Sequence, residues 1–282
     1  MERELIMLNV GYASHNGDWN WKKVQSPFAR IHYVISGEGR IVREDGSVEV
    51  RPGSLYLTPA YMTHSYECDG RLELYYIHVY EDSGSHMSLF DLYNFPAQVK
   101  ALPIDRELVE RLIAVNPGRE LPYFDPQTYN DFYTVSRNLV QSRHTLSASM
   151  LETQGIVQQL FSRFMASATP KNESMEKRIL DALCYIHENI ESPIGLDDLA
   201  QRCFLTKDHF IRLFKRETGT TPGRYINRVK IKAAQLRLLV DKRPVKEIAF
   251  GLGFDNICYF DRLFTRIIGE SPVAYRRRMG LQ

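Results

Sequence analysis

The sequence predicts an α+β protein of two domains. An N-terminal antiparallel β-barrel with following helices precedes an all-α domain that carries two helix-turn-helix units. Three observations predict this: short β-rich runs broken by turn residues over 28–80, a charge split along the chain, and an internal repeat in the last third.

The outer bounds are those of an ordinary globular chain. Its 282 residues suffice for two domains with separate cores, and it is 44% hydrophobic and 25% charged. The opening "MERELIMLNVGYASHNGDW" has no apolar run long enough for a signal peptide, and no stretch approaches the ~20 apolar residues of a membrane span. Cys68, Cys184, Cys203 and Cys258 lie far apart with no Cys-x-x-Cys pair. They read as reduced packing residues of a cytoplasmic protein rather than as a disulfide frame or zinc site.

The first element is the β-rich run "FARIHYVISGEGRIVREDGSVEVRPGSLYLTPAYMTHSYECDGRLELYYIHVY" (28–80). Gly37-Glu38-Gly39, Asp45-Gly46, Pro52-Gly53 and Pro59 punctuate it at hairpin spacing. About six strands in about 50 residues predict a small antiparallel barrel or jelly roll. Residues 130–168 then read as helical. "MLETQGIVQQLFSRFMAS" sets Leu151, Ile156/Val157, Leu160/Phe161 and Phe164/Met165 on one stripe. That is more apolar surface than one thin barrel face needs, so the stripe is read as a homodimer seam. "ATPKNES" (168–174) is the expected linker, which divides the chain into domains 1–170 and 171–282.

The formal net charge of +2 hides an asymmetry. Residues 1–170 carry 15 Lys+Arg against 20 Asp+Glu, and residues 171–282 carry 21 against 14. A basic third behind an acidic remainder points to nucleic acid at one end and a different task at the other.

The basic third repeats itself. At an offset of 49, Leu196, Leu199, Ala200, Cys203 and Leu205 fall on Val245, Ile248, Ala249, Leu252 and Phe254. At an offset of 50, Phe210, Arg212, Leu213, Phe214, Gly219, Pro222 and Tyr225 fall on Phe260, Arg262, Leu263, Phe264, Gly269, Pro272 and Tyr275. Each copy reads as a short helix, a tight turn, a Thr206 or Asn256 cap, and a second helix. An alanine stands where the two helices approach closely, as helix-turn-helix geometry requires.

The second helices bury their phenylalanines and leucine. Their opposite faces present Lys207, Asp208, Ile211, Arg212 and Lys215 in one copy, and Ile257, Cys258, Asp261, Arg262 and Thr265 in the other. This face suits a DNA major groove. Arg212 and Arg262 suit guanine O6/N7, Ile211 or Ile257 a thymine methyl, and Lys215, Arg216 and Arg266 phosphates. Asp208 and Asp261 suit either cytosine N4 or bracing a neighbouring arginine. Between the copies, "PGRYINRVKIKAAQLRLLV" (222–240) reads as one continuous helix, about 28 Å long at 1.5 Å per residue. DNA's helical repeat is about 34 Å, so two rigidly spaced units fit successive major grooves.

"VKEIAFGLGFDNICYFDRLFTRIIGESPVAYRRR" resembles the signature of the arabinose-operon regulator (AraC) family of bacterial transcription factors. Ile248-Ala249, Gly253-Phe254, Tyr259-Phe260, Arg262-Leu263-Phe264, Gly269-Glu270-Ser271-Pro272 and Tyr275-Arg276 carry it, over roughly residues 178–280. "LDDLAQRCFLTKDHFIRLFKRETGTTPGRYI" matches the upstream half. Lys230 departs from a usual arginine, and Thr265-Arg266 departs from a usual Phe-Lys-Lys run.

The segment "GEGRIVREDGSVEVRPGSLYLTPAYMTHSY" is similar to the cupin-like sensor half of that family. The resemblance implies a small-molecule effector such as a sugar, held inside the barrel of a homodimer. It also implies a double-stranded DNA operator, and RNA polymerase as a further partner if the regulator is an activator, which is the commoner expectation. Tyr75 matches a strand position that helps hold sugar in some relatives, and Arg30, His32, Tyr56 and Trp21 are further candidates. Metal-binding cupins carry a His-x-His pair, whereas His32 has no partner two positions on and His64 and His78 stand isolated. No metal, cofactor, catalytic residue or membrane contact is expected.

Three functions compete on these residues. The first is an effector-responsive regulator. The second is a metallocupin or DNA-alkylation repair enzyme using a similar DNA-binding module. The third is an effector-independent regulator or adaptor whose barrel binds another protein.

Overall fold

The computed structural model describes residues 4–44, 46–82, 87–125, 147–171 and 175–278. The chain forms two compact units. One takes residues Arg3–Asp82 and Tyr93–Thr169; the other takes Pro170–Gln282 together with Ser83–Leu92.

The first unit is built on two antiparallel sheets. Strands β1 (Glu4–Asn16), β8 (Arg71–Asp82), β3 (Ala29–Gly37), β6 (Ser54–Thr58) and β9 (Gln98–Lys100) form one, in that spatial order. The other runs β2 (Trp21–Val24), β7 (His64–Glu67), β4 (Gly39–Arg43) and β5 (Gly46–Val50). Their inner faces share one core, with Ala13, Val34, Tyr56, Leu72 and Leu74 from the larger sheet and Val24, Ile41, Val50 and Tyr66 from the smaller. Among the described residues the expected barrel is thus two facing sheets that do not close into one hydrogen-bonded ring. Hairpin signals predict local pairing but carry no information on whether the outermost strands meet.

Two helices cover the outside of the larger sheet: α2 (Pro103–Val115) and α3 (Ala148–Met165). Helix α1 (Leu89–Leu92) belongs to the other unit. Asp105 accepts from the Leu102 backbone N at 2.7 Å, which closes the first turn of α2. Its other carboxylate oxygen pairs with Arg163 of α3 at 3.0 Å. Ile156, Val157, Leu160, Phe161 and Phe164 are buried within this unit, and only Leu151 and Met165 of the stripe remain exposed. The stripe read as a dimer seam is therefore spent on its own unit, because two helices and a sheet need more apolar cover than one barrel face. Residues 130–146 of the stretch read as helical lie outside the described residues.

Over the described residues 175–278 the second unit is built of helices: α4 (Lys177–Glu188), α5 (Leu196–Arg202), α6 (Lys207–Thr218), α7 (Pro222–Val240), α8 (Val245–Phe250), α9 (Ile257–Ile268) and α10 (Pro272–Arg278). Proline opens α7 where its missing N–H costs nothing, and the helix runs unbroken as the sequence predicts.

Candidate nucleic-acid interface and interior cavity

Each repeat folds as a short helix, a turn and a longer helix: α5–α6 and α8–α9. Ala200 and Ala249 are buried where the paired helices meet, and Phe210, Leu213 and Phe214, like Phe260, Leu263 and Phe264, line the interior. Thr206 Oγ1 accepts from the His209 backbone N, and Asn256 Oδ1 accepts from the Tyr259 backbone N at 3.0 Å. Gly219 (φ 73°) and Gly269 (φ 92°) end the second helices in the left-handed region.

The outward faces carry the residues the sequence assigns to them. Lys207, Asp208, Arg212 and Lys215 are exposed on α6, and Ile211 is half-buried against the core of its own unit. Asn256, Cys258, Arg262 and Arg266 are exposed on or beside α9, with Ile257 half-buried. Local bonds qualify three of these. Lys207 Nζ pairs with Asp197 at 2.9 Å, Arg262 Nε donates to the Cys258 carbonyl at 3.3 Å, and Asn256 spends its side-chain oxygen on the cap. Arg262 is thus held along its own helix.

Lys230 sits inside the unit. Its ammonium donates to the Ser192 carbonyl at 2.9 Å and the Gly253 carbonyl at 3.2 Å, and burial lowers its pKa. It joins the second turn to the loop ahead of α5. The same contact explains Gly253 (φ 65°), where a Cβ would stand 2.5 Å from the Ser192 carbonyl carbon.

Between the sheets of the first unit lies a partly open cavity of about 20 Å³ lined by His15, Trp19, Arg30, His32, Tyr66, Tyr76, His78 and Phe124, among others. That volume holds about one water. Strand register places Arg30 opposite His78 and His32 opposite Tyr76 on β3 and β8. Trp19 stacks on Tyr66 with ring centroids 4.2 Å apart, and His32 meets both rings edge-on.

Arg30 donates to Ser26 Oγ at 2.6 Å and lies 3.4 Å from His64 Nε2. Because His64 Nδ1 reaches the Met62 carbonyl at 3.0 Å, that nitrogen carries the proton and Nε2 is left to accept. Burial, then the Arg30 charge, pushes His32 and His64 down to about 3, and holds His78 well below its ordinary value. The imidazoles are thus neutral, and His32 Nδ1 and the Tyr66 hydroxyl have no hydrogen-bond partner in the structure. Among the described residues, no group of three or more His, Cys, Asp or Glu side chains is arranged to hold a metal.

Of the five effector candidates, Arg30 and His32 line this cavity. Tyr56 is buried with its hydroxyl bonded to both backbone polar groups of Arg51. Tyr75 points to the other face of β8, where its hydroxyl donates to Glu110 of α2 at 2.9 Å. Trp21 packs beside the core opposite Tyr66. Tyr66, Tyr76, His78 and His15 are cavity residues beyond the five candidates. Strand parity was the available signal, since 74, 76 and 78 alternate inward with 30, 32 and 34.

A model described as a helix-turn-helix domain matches residues 199–278, and one described as an AraC-like ligand binding domain matches residues 10–168. The MmsAB operon regulatory protein of Pseudomonas aeruginosa is 37% identical over 101 residues, which is 36% of this chain and 33% of that protein. Regulatory protein SoxS of Escherichia coli is 32% identical over 106 residues, 38% of this chain and 99% of SoxS. The structure of unsaturated fatty acid bound ToxT from Vibrio cholerae matches 98% of this chain and 96% of its own, with a TM-score of 0.50. At 15% identity that last likeness is one of fold.

Proposed function

We propose a function from one premise: the chain belongs to the AraC family of DNA-binding transcription regulators, and carries that family's ligand-binding domain ahead of its helix-turn-helix domain. On that premise α6 and α9 read two segments of one operator in successive major grooves. Arg212 and Arg262 discriminate bases, Lys215 and Arg266 neutralise phosphates, and Asn256 and Thr206 hold the reading helices in place. The observation that carries this reading is the repeat itself, with an exposed arginine at the same position of each second helix.

The sensor half adds a small polar effector such as a sugar, bound within the sheets and met by Arg30, His32, Tyr66 and His78. Its binding shifts how two copies of the chain engage adjacent half-sites. Leu151 and Met165, exposed at the two ends of α3, supply apolar surface for that dimer. Activation through RNA polymerase is the outcome assigned at the promoter. A second reading has its own support. A cavity with room for one water admits a sugar only if its lining moves apart, Phe124, edge-on to His15 and Tyr76, included. An effector-independent regulator needs no such opening.

Selection of bound duplexes from a random-sequence pool tests the DNA reading. A motif about two turns long, with Arg212→Ala and Arg262→Ala relaxing different segments about 10 base pairs apart, is expected. Sequence-blind binding that vanishes with salt sinks it. Thermal unfolding of the full chain against a panel of sugars separates the two sensor readings. A shift abolished by Arg30→Met supports an interior effector; no shift with any member supports the effector-independent alternative.

A further inference from the structure

Residues Met87–Leu92 lie in sequence between two segments of the sensor, yet they are part of the DNA-binding unit. Met87 is 4% exposed. It shares a core with Ile179, Leu183 and Ile186 of α4, Leu199 of α5, Phe210 and Phe214 of α6, and Tyr225 of α7. Leu92 packs against the same cluster.

Polar contacts fix the C-terminal half of the segment, and Met87 holds its start by burial. The Asp91 carboxylate pairs with Lys232 of α7 at 3.3 Å. Lys171 donates its backbone N–H to the Leu92 carbonyl at 2.8 Å and its ammonium to the Phe90 carbonyl at 2.6 Å. Ser88 closes the short turn, accepting from the backbone N of Asp91 and Leu92. A loop that only joined two strands would carry solvated side chains. This one contributes a methionine to a helical core that no sequence signal assigns to it.

The core it enters is one-sided. Every helix-turn-helix residue in that cluster comes from the first copy, and none from α8, α9 or α10. We propose that Met87–Leu92 is a strap that completes the first helix-turn-helix unit and positions the α6 reading helix, leaving α9 independent of it. Met87 is buried in the same cluster as Phe210 and Phe214, and Asp91 anchors α7 through Lys232. The strap is covalently continuous with sensor strand β8, so the first reader is the one tied to the sensor by chain. The inference rests on the two-reader function proposed above.

The test uses the full chain with Met87→Ala, the milder Asp91→Asn, and Met87→Leu as the volume-conserving control. Amide hydrogen exchange is followed in peptides from α4, α6 and α9, and each variant is put through duplex selection. Loss of the buried methionine is expected to speed exchange in α4 and α6 about tenfold or more, while α9 stays near the parent rate. The operator segment that Arg212→Ala relaxes should relax again, by about threefold to tenfold in discrimination per base pair. The segment that Arg262→Ala relaxes should hold, and Met87→Leu should restore both readouts.

Equal acceleration in α6 and α9, or equal relaxation of both segments, overturns the strap, since general destabilisation acts that way. Unchanged exchange in α4 and α6 also overturns it. If Arg212→Ala itself relaxes no segment, the two-reader function fails, and hydrogen exchange alone still decides whether the strap belongs to the first unit.

Discussion

Equivalent positions of the two repeats show how far one residue's surroundings decide its role. Gly253 and Phe204 hold the same place in their turns, both in the left-handed region at φ 65° and 55°. Gly253 meets the Ser192 backbone, whereas Phe204 is 90% exposed. Gly253→Ala is therefore expected to destabilise the chain by about 2 kcal/mol or more, from a strained φ and a backbone clash. Phe204→Gly should cost nothing or stabilise by up to about 1 kcal/mol. Urea unfolding of both variants checks the opposite signs; a similar loss at both positions would refute the account. Lys230→Met strands the Ser192 and Gly253 carbonyls, at a cost of about 1–3 kcal/mol, and a DNA salt slope unchanged from the parent would show that this lysine touches no phosphate.

At the scale of an element, the reading helices depend on their first turns. Asn256 and Thr206 each satisfy one orphan N–H, and Asn256→Ala should cost about 1 kcal/mol while Asn256→Asp is near neutral. Faster hydrogen exchange confined to the first turn of α9 is the expected signature, and the same acceleration in Asn256→Asp would count against it. The repeat made these caps legible, because Thr206 and Asn256 occupy one position in a pattern of matched apolar spacings. Helix α7 was legible too, from a proline start and an uninterrupted run of helix formers. The partner of α3 was not. Periodicity states that a helix has an apolar stripe and is silent on what covers it.

For the whole molecule, the N-terminal unit carries a pH liability. His32 and His64 remain neutral down to about 3 when folded, because they are buried beside the Arg30 guanidinium. In the unfolded chain they titrate near 6.5. Above that value neither state binds the proton and nothing is lost. As pH falls from about 6.5 towards 3 only the unfolded chain takes it up, so stability declines, by about 2 kcal/mol per histidine at pH 5. Denaturant unfolding of the full chain at pH 7.5 and pH 5 should show this loss, and His64→Asn should shrink it by about 2 kcal/mol. A pH dependence untouched by that substitution would place the neutral imidazoles elsewhere.

The sequence by itself determined the family, the two helix-turn-helix units and the outward arginines. Those features rest on local periodicity, caps and turns, which act over a few residues and leave a regular mark in the chain. The six β-runs within 28–80 were legible for the same reason, whereas β1, β2 and β9 were not assigned from the sequence. Only the tertiary structure decided that the sheets face each other without closing, that His15, Tyr66, Tyr76 and His78 join Arg30 and His32 around one cavity, and that Tyr56 and Tyr75 are engaged elsewhere. It also decided that Met87 fills a core belonging to helices about 90 residues and more further along the chain. Each of these depends on strand register or on contacts between residues far apart in sequence, and a one-residue shift in register would reverse which side chains face inward.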